Sequence, residues 1–205
     1  PKCRRVDKSI FKEGQMKIGL FFGSFDPVHI GHLIVANTVY EMTAMDQIWF
    51  VVSPQNPFKK NKTLLHEIDR FNLVKLAIRD HLYFKASDVE FSLPRPSYTI
   101  DTLMYLKSRY LNYEFKLIMG EDGLVQFKKW KNYHKILNQY GIIIYPREVS
   151  SKAPSISHEN VVLISAPRVD ISASYIRQML QDGKIPRYLV PKEVLRLIKL
   201  KKYYT

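Results

Sequence analysis

Two histidines, His29 and His32, lie in the stretch Gly23-Ser24-Phe25-Asp26-Pro27-Val28-His29-Ile30-Gly31-His32. The residues before this stretch, 18–22, and after it, 33–36, are mostly apolar, so a strand is predicted to pass through a tight turn into a helix. Free backbone N–H groups and the positive end of the helix dipole make such a helix start an anion site. Histidines three positions apart lie on nearly the same helix face, so both can donate to one phosphate. The stretch therefore predicts a phosphate-binding turn.

The chain has 205 residues, 46% of them apolar, and a formal net charge of +13. Residues 1–17 carry +4 and residues 183–205 carry +6, which leaves +3 for the residues between them. An excess at the two ends fits a solvated surface or a general attraction for polyanions as well as it fits a specific nucleic-acid surface. The single cysteine, Cys3, cannot form an internal disulfide, which fits a reducing compartment. No apolar run is long enough to span a bilayer, and we predict a cytoplasmic protein.

Short β-rich runs alternate with helical patterns along the chain, which is typical of a parallel sheet covered by helices. Strands are predicted at about 17–22, 48–52, 82–85, 115–119, 141–145 and 161–164. Helices are predicted at about 30–43, 67–80, 98–110 and 122–138. The expected fold is α/β, a Rossmann-like open parallel sheet with helices on both faces and a small C-terminal helical subdomain.

The chain is predicted to hold one main domain, residues 16–205, after an N-terminal extension, residues 1–15, that we expect to be poorly ordered. Residues 171–205 form the C-terminal helical part. There, Ser172 is the predicted N-cap of a helix that ends at Gly183, and Pro191 opens a last helix. Tyr203 and Tyr204 are interpreted as the end of that helix rather than as a base-stacking surface.

The two most common nucleotide-binding loops, G-x-x-x-x-G-K-[ST] and G-x-G-x-x-G after the first strand, are missing. The stretch 23–32 instead resembles the opening motif of the HxGH adenylyltransferases, and the order of later segments resembles the bacterial nicotinate-nucleotide adenylyltransferases. Those segments are the loop 53–59, Arg70, the S-Y-T-x-D-T-L segment 97–103, Gly120-Glu121-Asp122, Trp130 and the segment 171–177. Phe22 departs from the motif, which has a glycine there.

The resemblance implies that nicotinate mononucleotide and ATP react to give nicotinate adenine dinucleotide and pyrophosphate, with no covalent enzyme intermediate. It implies Mg²⁺ bound through the ATP phosphates, with no dedicated protein ligands. The implied partners are these small molecules, without a specific nucleic acid or a membrane, and a homo-oligomer is compatible with the sequence.

The resemblance also implies roles for individual residues. The catalytic group is His29, His32, Lys59 and Arg177. The ATP-binding group is Gly23, Ser24, Phe25, His29, His32, Gly120, Asp122, Ser172, Ser174 and Arg177. The group that binds the mononucleotide is Ser24, Lys59, Thr99 and Trp130.

Two other functions stay open on the sequence alone. One is a related adenylyltransferase that acts on nicotinamide mononucleotide or phosphopantetheine, because the opening motif does not separate these substrates. The other is a non-catalytic nucleotide- or RNA-binding protein that uses the basic ends; it would tolerate loss of both motif histidines, and its affinity would fall steeply with salt.

Overall fold

The computed structural model describes residues 14–54, 64–147, 156 and 158–205. Within them, six parallel strands form one sheet in the order β3-β2-β1-β4-β5-β6. The strands are β1 (Met16–Gly23), β2 (Gln47–Val52), β3 (Phe84–Ser87), β4 (Tyr113–Gly120), β5 (Ile142–Tyr145) and β6 (Val161–Leu163). The predicted α/β fold with an open parallel sheet is confirmed. Of the predicted N-terminal extension, residues 1–13 lie outside the described residues.

Helices cover both faces of this sheet. They are α1 (Ile30–Met42), α2 (Glu67–Ile78), α3 (Thr99–Arg109), α4 (Glu121–Phe127), α5 (Tyr133–Gln139), α6 (Ala173–Gln181) and α7 (Lys192–Lys201), with a short 3-10 helix at Val89–Ser92. Helices α1, α2, α6 and α7 pack on one face. Helices α3, α4 and α5 pack on the other.

The alternation of side chains along each strand explains why helices must bury both faces of the sheet. In β2, Ile48 and Phe50 point into the core under α1 and α2, whereas Trp49 and Val51 point into the core under α3. Successive side chains of a strand face opposite sides of the sheet, so a strand that is apolar at every position must be buried on both sides. This is why the central strands are recognisable in the sequence as continuous apolar runs.

The prediction of one helix over 122–138 is wrong, because two helices, α4 and α5, occupy that segment. The chain turns between them, and Asn132 adopts a left-handed backbone conformation (φ 51°) that no helix interior tolerates. Trp130 lies in this turn, and its ring packs on Phe127 at 5.4 Å between centroids. The turn therefore places Trp130 next to the cavity described below instead of on a helix face.

The C-terminal helical part follows its predicted local pattern. The Ser172 side chain accepts a hydrogen bond from the N–H of Tyr175 and caps α6. Gly183 follows α6 with φ 69°, a conformation that glycine adopts without strain. Pro191 is the N-cap of α7, one residue before the predicted position. None of the helices in the described ranges is both long and apolar enough to cross a bilayer.

Candidate active site

A cavity of about 390 Å³ opens where the carboxyl ends of β1 and β4 meet. In this strand order, neighbouring strands β1 and β4 send their connections to opposite faces, and a crevice forms between them where ligands of open α/β sheets bind. The wall contains seven of the residues predicted from the sequence: Gly23, Ser24, His32, Thr99, Gly120, Asp122 and Trp130. The fold thus brings the opening motif together with residues from α3, β4 and the α4–α5 turn.

The turn between β1 and α1 presents His32 to this cavity. His29 is the N-cap of α1, with extended backbone angles. Phe25, predicted to contact ATP, has φ 47° and a buried side chain whose ring meets His32 edge-on at 5.0 Å. The Phe25 ring therefore packs against the His32 imidazole and does not line the cavity.

The two imidazoles are stacked, with 3.6 Å between their centroids. Nδ1 of His32 accepts a hydrogen bond from the backbone N–H of His29 (3.2 Å), which leaves the proton of a neutral ring on Nε2. Burial, with a smaller contribution from the charge of Arg147, lowers the pKa of His29 to about 4. Burial, and then repulsion from His29 and Arg147, also holds the pKa of His32 well below its ordinary value. Both rings are therefore neutral hydrogen-bonding groups at pH 7.

The start of α6 lies against the start of α1. A Cβ atom placed on Gly31 would lie 3.4 Å from Cβ of Ile171, which precedes the N-cap of α6. Arg177 of α6 donates from Nη1 to the main-chain oxygen of Asp26 (2.6 Å) and from Nη2 to Oγ of Ser174 (3.2 Å). Two helix N-termini and a guanidinium therefore border one edge of the turn between β1 and α1, an arrangement that suits a polyphosphate.

Arg70 of α2 fixes the loops beside the cavity. Its side chain is 1% exposed and donates to the main-chain oxygens of Ser24, Ser53 (2.8 Å), Pro54 (2.9 Å) and Leu65 (2.7 Å). Ser24 belongs to the turn after β1, whereas Ser53 and Pro54 follow β2. One buried cation therefore sets the relative position of two loops that a ligand would contact.

Thr99 and Trp130 line the cavity at the start of α3. Thr99 is the first residue of α3, so the free N–H groups of that helix start face the same region. Lys131 lies beside them, pairs with Asp101 at 2.8 Å, and places its ammonium group 4.8 Å from the ring centre of Tyr98. This end of the cavity combines an aromatic ring, a helix N-terminus and a cation.

Two residues of the cavity wall, Arg147 and Glu90, were missed by the sequence analysis. Arg147 follows β5 by two residues, pairs with Asp122 (3.6 Å) and stands close enough to both imidazoles to lower their pKa. Its signal in the sequence is a lone cation directly after a parallel strand. Glu90 is 2% exposed and accepts a hydrogen bond from Oγ1 of Thr102 (2.8 Å). Burial raises the pKa of Glu90, and its hydroxyl neighbours offset part of that effect.

The remaining predicted residues take other positions. Ser172, Ser174 and Arg177 lie at the α6 start beside the cavity rather than in its wall, and His29 lies behind His32. Lys59 lies outside the described residues. The assembled site can bind a long anion along the two helix starts and an aromatic ring at the α3 end.

The sequence profile of the cytidylyltransferase-like family matches residues 20–179. A protein of Cytophaga hutchinsonii named as a probable nicotinate-nucleotide adenylyltransferase is 56% identical over 190 residues, which cover 93% of this chain and 99% of that protein. A protein of the same name from Flavobacterium johnsoniae is 46% identical over 192 residues, which cover 92% of this chain and 99% of that protein.

Among solved structures, the nicotinic acid mononucleotide adenylyltransferase of Plasmodium falciparum complexed with NaAD has a similar fold. The TM-score is 0.74 at 21% identity, and the match covers 92% of this chain and 97% of that one. This structural similarity supports the fold, whereas the similarity to the two bacterial relatives indicates the family.

Proposed function

Because this chain belongs to the cytidylyltransferase-like family and, within it, to the nicotinate-nucleotide adenylyltransferases, we propose that it transfers the adenylyl group of ATP to nicotinate mononucleotide. A phosphate oxygen of the mononucleotide attacks the α-phosphorus of ATP, and the bond from that phosphorus to pyrophosphate breaks in line. The products are nicotinate adenine dinucleotide and pyrophosphate. Because negative charge builds on the non-bridging and leaving oxygens, the enzyme must supply positioning and hydrogen-bond donors.

The observation that carries this proposal is the position of the motif histidines between two helix starts. His32 reaches the cavity with a proton on Nε2, and Arg177 lies on the neighbouring α6 start, where it is bonded to the turn itself. We assign His32 to the α-phosphate, and His29 and Arg177 to the triphosphate. Lys59 remains a proposed fourth contact from the loop after β2.

Hydroxyl and backbone groups would complete the phosphate site. Ser24 and the N–H groups at the α1 start orient one phosphate, and the α6 start with Ser172 and Ser174 orients another. The hydroxyl of Ser172 already caps α6, so its contribution comes from the N–H groups that the cap leaves available.

The other end of the cavity would receive the mononucleotide. Trp130 offers a flat face for the pyridine ring, and Thr99 stands at the α3 start. A helix N-terminus favours a negatively charged group, which supports the carboxylate of nicotinate over the neutral amide. We therefore propose the acid as the preferred acceptor.

Gly120 and Asp122 at the end of β4 are proposed to contact the ribose of the adenosine. Gly120 leaves little room above its backbone, since an added Cβ would meet Asp122 at 2.3 Å and Arg147 at 2.8 Å.

A divalent metal generally accompanies ATP in this family, and we propose Mg²⁺ held by phosphate and water as part of the substrate. In the described part of the chain, no three His, Cys, Asp or Glu side chains form a group that could hold a metal ion. A cytoplasmic location stays a prediction from the sequence.

A pyrophosphate-release assay tests the proposal. With ATP and Mg²⁺ present, nicotinate mononucleotide is expected to react faster than nicotinamide mononucleotide or phosphopantetheine. His32→Ala should lower kcat at saturating substrates on the order of a hundredfold or more, because it removes a donor to the transition state. His134→Ala, at an exposed histidine of α5, is the matched control and should retain activity. Equal turnover of wild type and His32→Ala would contradict the assignment.

A further inference from the structure

Two tyrosines that follow α7 form hydrogen bonds, through their hydroxyl groups, with aspartates far away in the sequence. Lys202 and Tyr204 both have left-handed backbone angles (φ 53° and 66°), which turn the chain sharply after the helix. The hydroxyl of Tyr203 then donates to Oδ1 of Asp69 on α2 at 2.8 Å. The hydroxyl of Tyr204 donates to Oδ1 of Asp26, also at 2.8 Å. The two hydrogen bonds are alike in kind and length, but only the second reaches the phosphate-binding turn.

Asp26 is a buried carboxylate, 1% exposed, in that turn. Its Oδ1 accepts a second hydrogen bond, from the N–H of Leu65 at 3.2 Å. Its Oδ2 makes no hydrogen bond and lies 3.5 Å from Nη1 of Arg177. The same Nη1 donates to the main-chain oxygen of Asp26 at 2.6 Å. The carboxylate thus stands between a tyrosine on one side and the phosphate-site arginine on the other.

Several groups share the stabilisation of the buried Asp26 carboxylate. A buried carboxylate needs hydrogen bonds or a cation to offset its lost hydration. Tyr204 and Leu65 satisfy Oδ1, so Arg177 can keep its short bond to the main-chain oxygen instead of forming a full ion pair with the carboxylate. A guanidinium has five N–H donors, more than these contacts use, and the others can reach phosphate oxygens.

We propose that Tyr204 is a positioning residue for ATP binding, acting through Asp26 to keep Arg177 directed at the triphosphate. The inference rests on the proposed function, because it takes Arg177 to be a phosphate contact. Burial and the neighbouring Asp26 charge raise the pKa of Tyr204, so its hydroxyl keeps the proton that it donates. Without that hydroxyl, the carboxylate draws Arg177 toward Oδ2 and away from the ligand.

A purely structural role would be the alternative, in which both tyrosines only fasten the segment after α7 to the domain. Tyr203 is a matched control for that alternative. It precedes Tyr204 directly, makes a hydrogen bond of the same length to an aspartate, and contacts α2 rather than the turn before α1. Substitution by phenylalanine removes only the hydroxyl at either position and keeps the ring in place.

The test measures the Kd of a non-hydrolysable ATP analogue with Mg²⁺ by titration calorimetry for wild type, Y204F, Y203F, R177A and the double variant Y204F/R177A. Thermal unfolding shows whether each protein is folded. Y204F is expected to weaken binding of the analogue roughly fivefold to tenfold, which is about the net effect of one typical hydrogen bond. Y203F is expected to leave the Kd unchanged even where its Tm falls as much as that of Y204F. In the R177A background, Y204F should have no further effect, because it acts through the arginine.

The outcomes separate this inference from the function on which it rests. If R177A weakens binding and Y204F does not, Tyr204 has no positioning role, while the assignment of Arg177 stands. If Y203F weakens binding as much as Y204F, both tyrosines act only by holding the segment after α7 on the domain, and the inference is overturned. If R177A leaves the Kd unchanged, the assignment of Arg177 to the triphosphate fails first, and the role of Tyr204 fails with it.

Discussion

The neutral state of the buried His29 makes a quantitative prediction about acid stability. Its side chain is 5% exposed, and burial together with Arg147 lowers its pKa to about 4. In the unfolded chain the same imidazole titrates near its ordinary pKa, 6.5. Between these two values, the unfolded state binds a proton that the folded state does not. The free energy of unfolding contributed by this group is therefore fully present above pH 6.5 and is lost progressively as the pH falls toward 4.

The size of the effect follows from the two pKa values. A shift of this kind corresponds to about 2 kcal/mol of lost stability between about pH 7.5 and pH 5, and to about 3 kcal/mol in total. The variant His29→Asn keeps a polar side chain without this titration. Urea denaturation of both proteins, followed by circular dichroism at several pH values, should show the stability advantage of wild type over the variant shrinking by this amount toward pH 5.

Other groups also titrate in this range, so the difference between the two proteins is the quantity that matters. His134→Asn, at an exposed histidine, is the control and should leave the pH dependence of wild type unchanged. If wild type and His29→Asn instead keep a constant difference in the free energy of unfolding from pH 7.5 to pH 5, then His29 is not held neutral by burial. The account of two neutral stacked imidazoles would then be refuted.

Three further variants test other parts of the site. Gly31→Ala places a Cβ 3.0 Å from Nδ1 of His29 and should lower kcat/KM for pyrophosphate release roughly tenfold by displacing that ring. Arg70→Met removes the donor to four main-chain oxygens and should lower the free energy of unfolding in urea by about 3–5 kcal/mol, more than Arg70→Lys. Burial raises the pKa of Glu90, so the stability of wild type relative to Glu90→Gln should fall as the pH rises above 4.5, which urea denaturation at pH 5 and pH 8 would show.

The fold was predictable because its signals are local. Each strand buried on two faces is an apolar run of its own, and the helix start at Ile30 is marked by the motif directly before it. The strand predicted at 82–85 lies two residues further on, at Phe84–Ser87, and the 3-10 helix after it was not predicted. The larger error is the single helix predicted over 122–138. Asparagine occurs in helices and in turns alike, so the sequence pattern does not reveal that Asn132 adopts the left-handed conformation that separates α4 from α5.

The residues of the candidate site were predictable from the opening motif and from the order of the family-like segments, which supplied Thr99, Gly120, Asp122 and Trp130. His29 and His32 reveal their relation through spacing, whereas Tyr204 and Asp26 are 178 positions apart and Arg177 and Asp26 are 151 apart. No periodic pattern connects such residues, because their contact depends on how α6 and α7 fold back over the sheet. Arg147 and Glu90 reach the cavity in the same way, Arg147 through the register of β5 with β4 and Glu90 through the 3-10 helix after β3.

The neutrality of the imidazoles has a consequence for the proposed chemistry. A permanently charged histidine would attract the triphosphate of bound ATP as strongly before transfer as during it, and such uniform binding does not lower the barrier. In this site the fixed positive charge comes from Arg177 and the helix starts, which we propose hold the nucleotide, and Arg147 adds its charge at the cavity wall. His32 instead offers a neutral, oriented N–H, and in the proposed function its hydrogen bond would strengthen as charge develops on the α-phosphate oxygens. Under the proposed function, Arg177, His29 and the helix starts therefore bind the triphosphate, and His32 acts on the phosphate that is transferred.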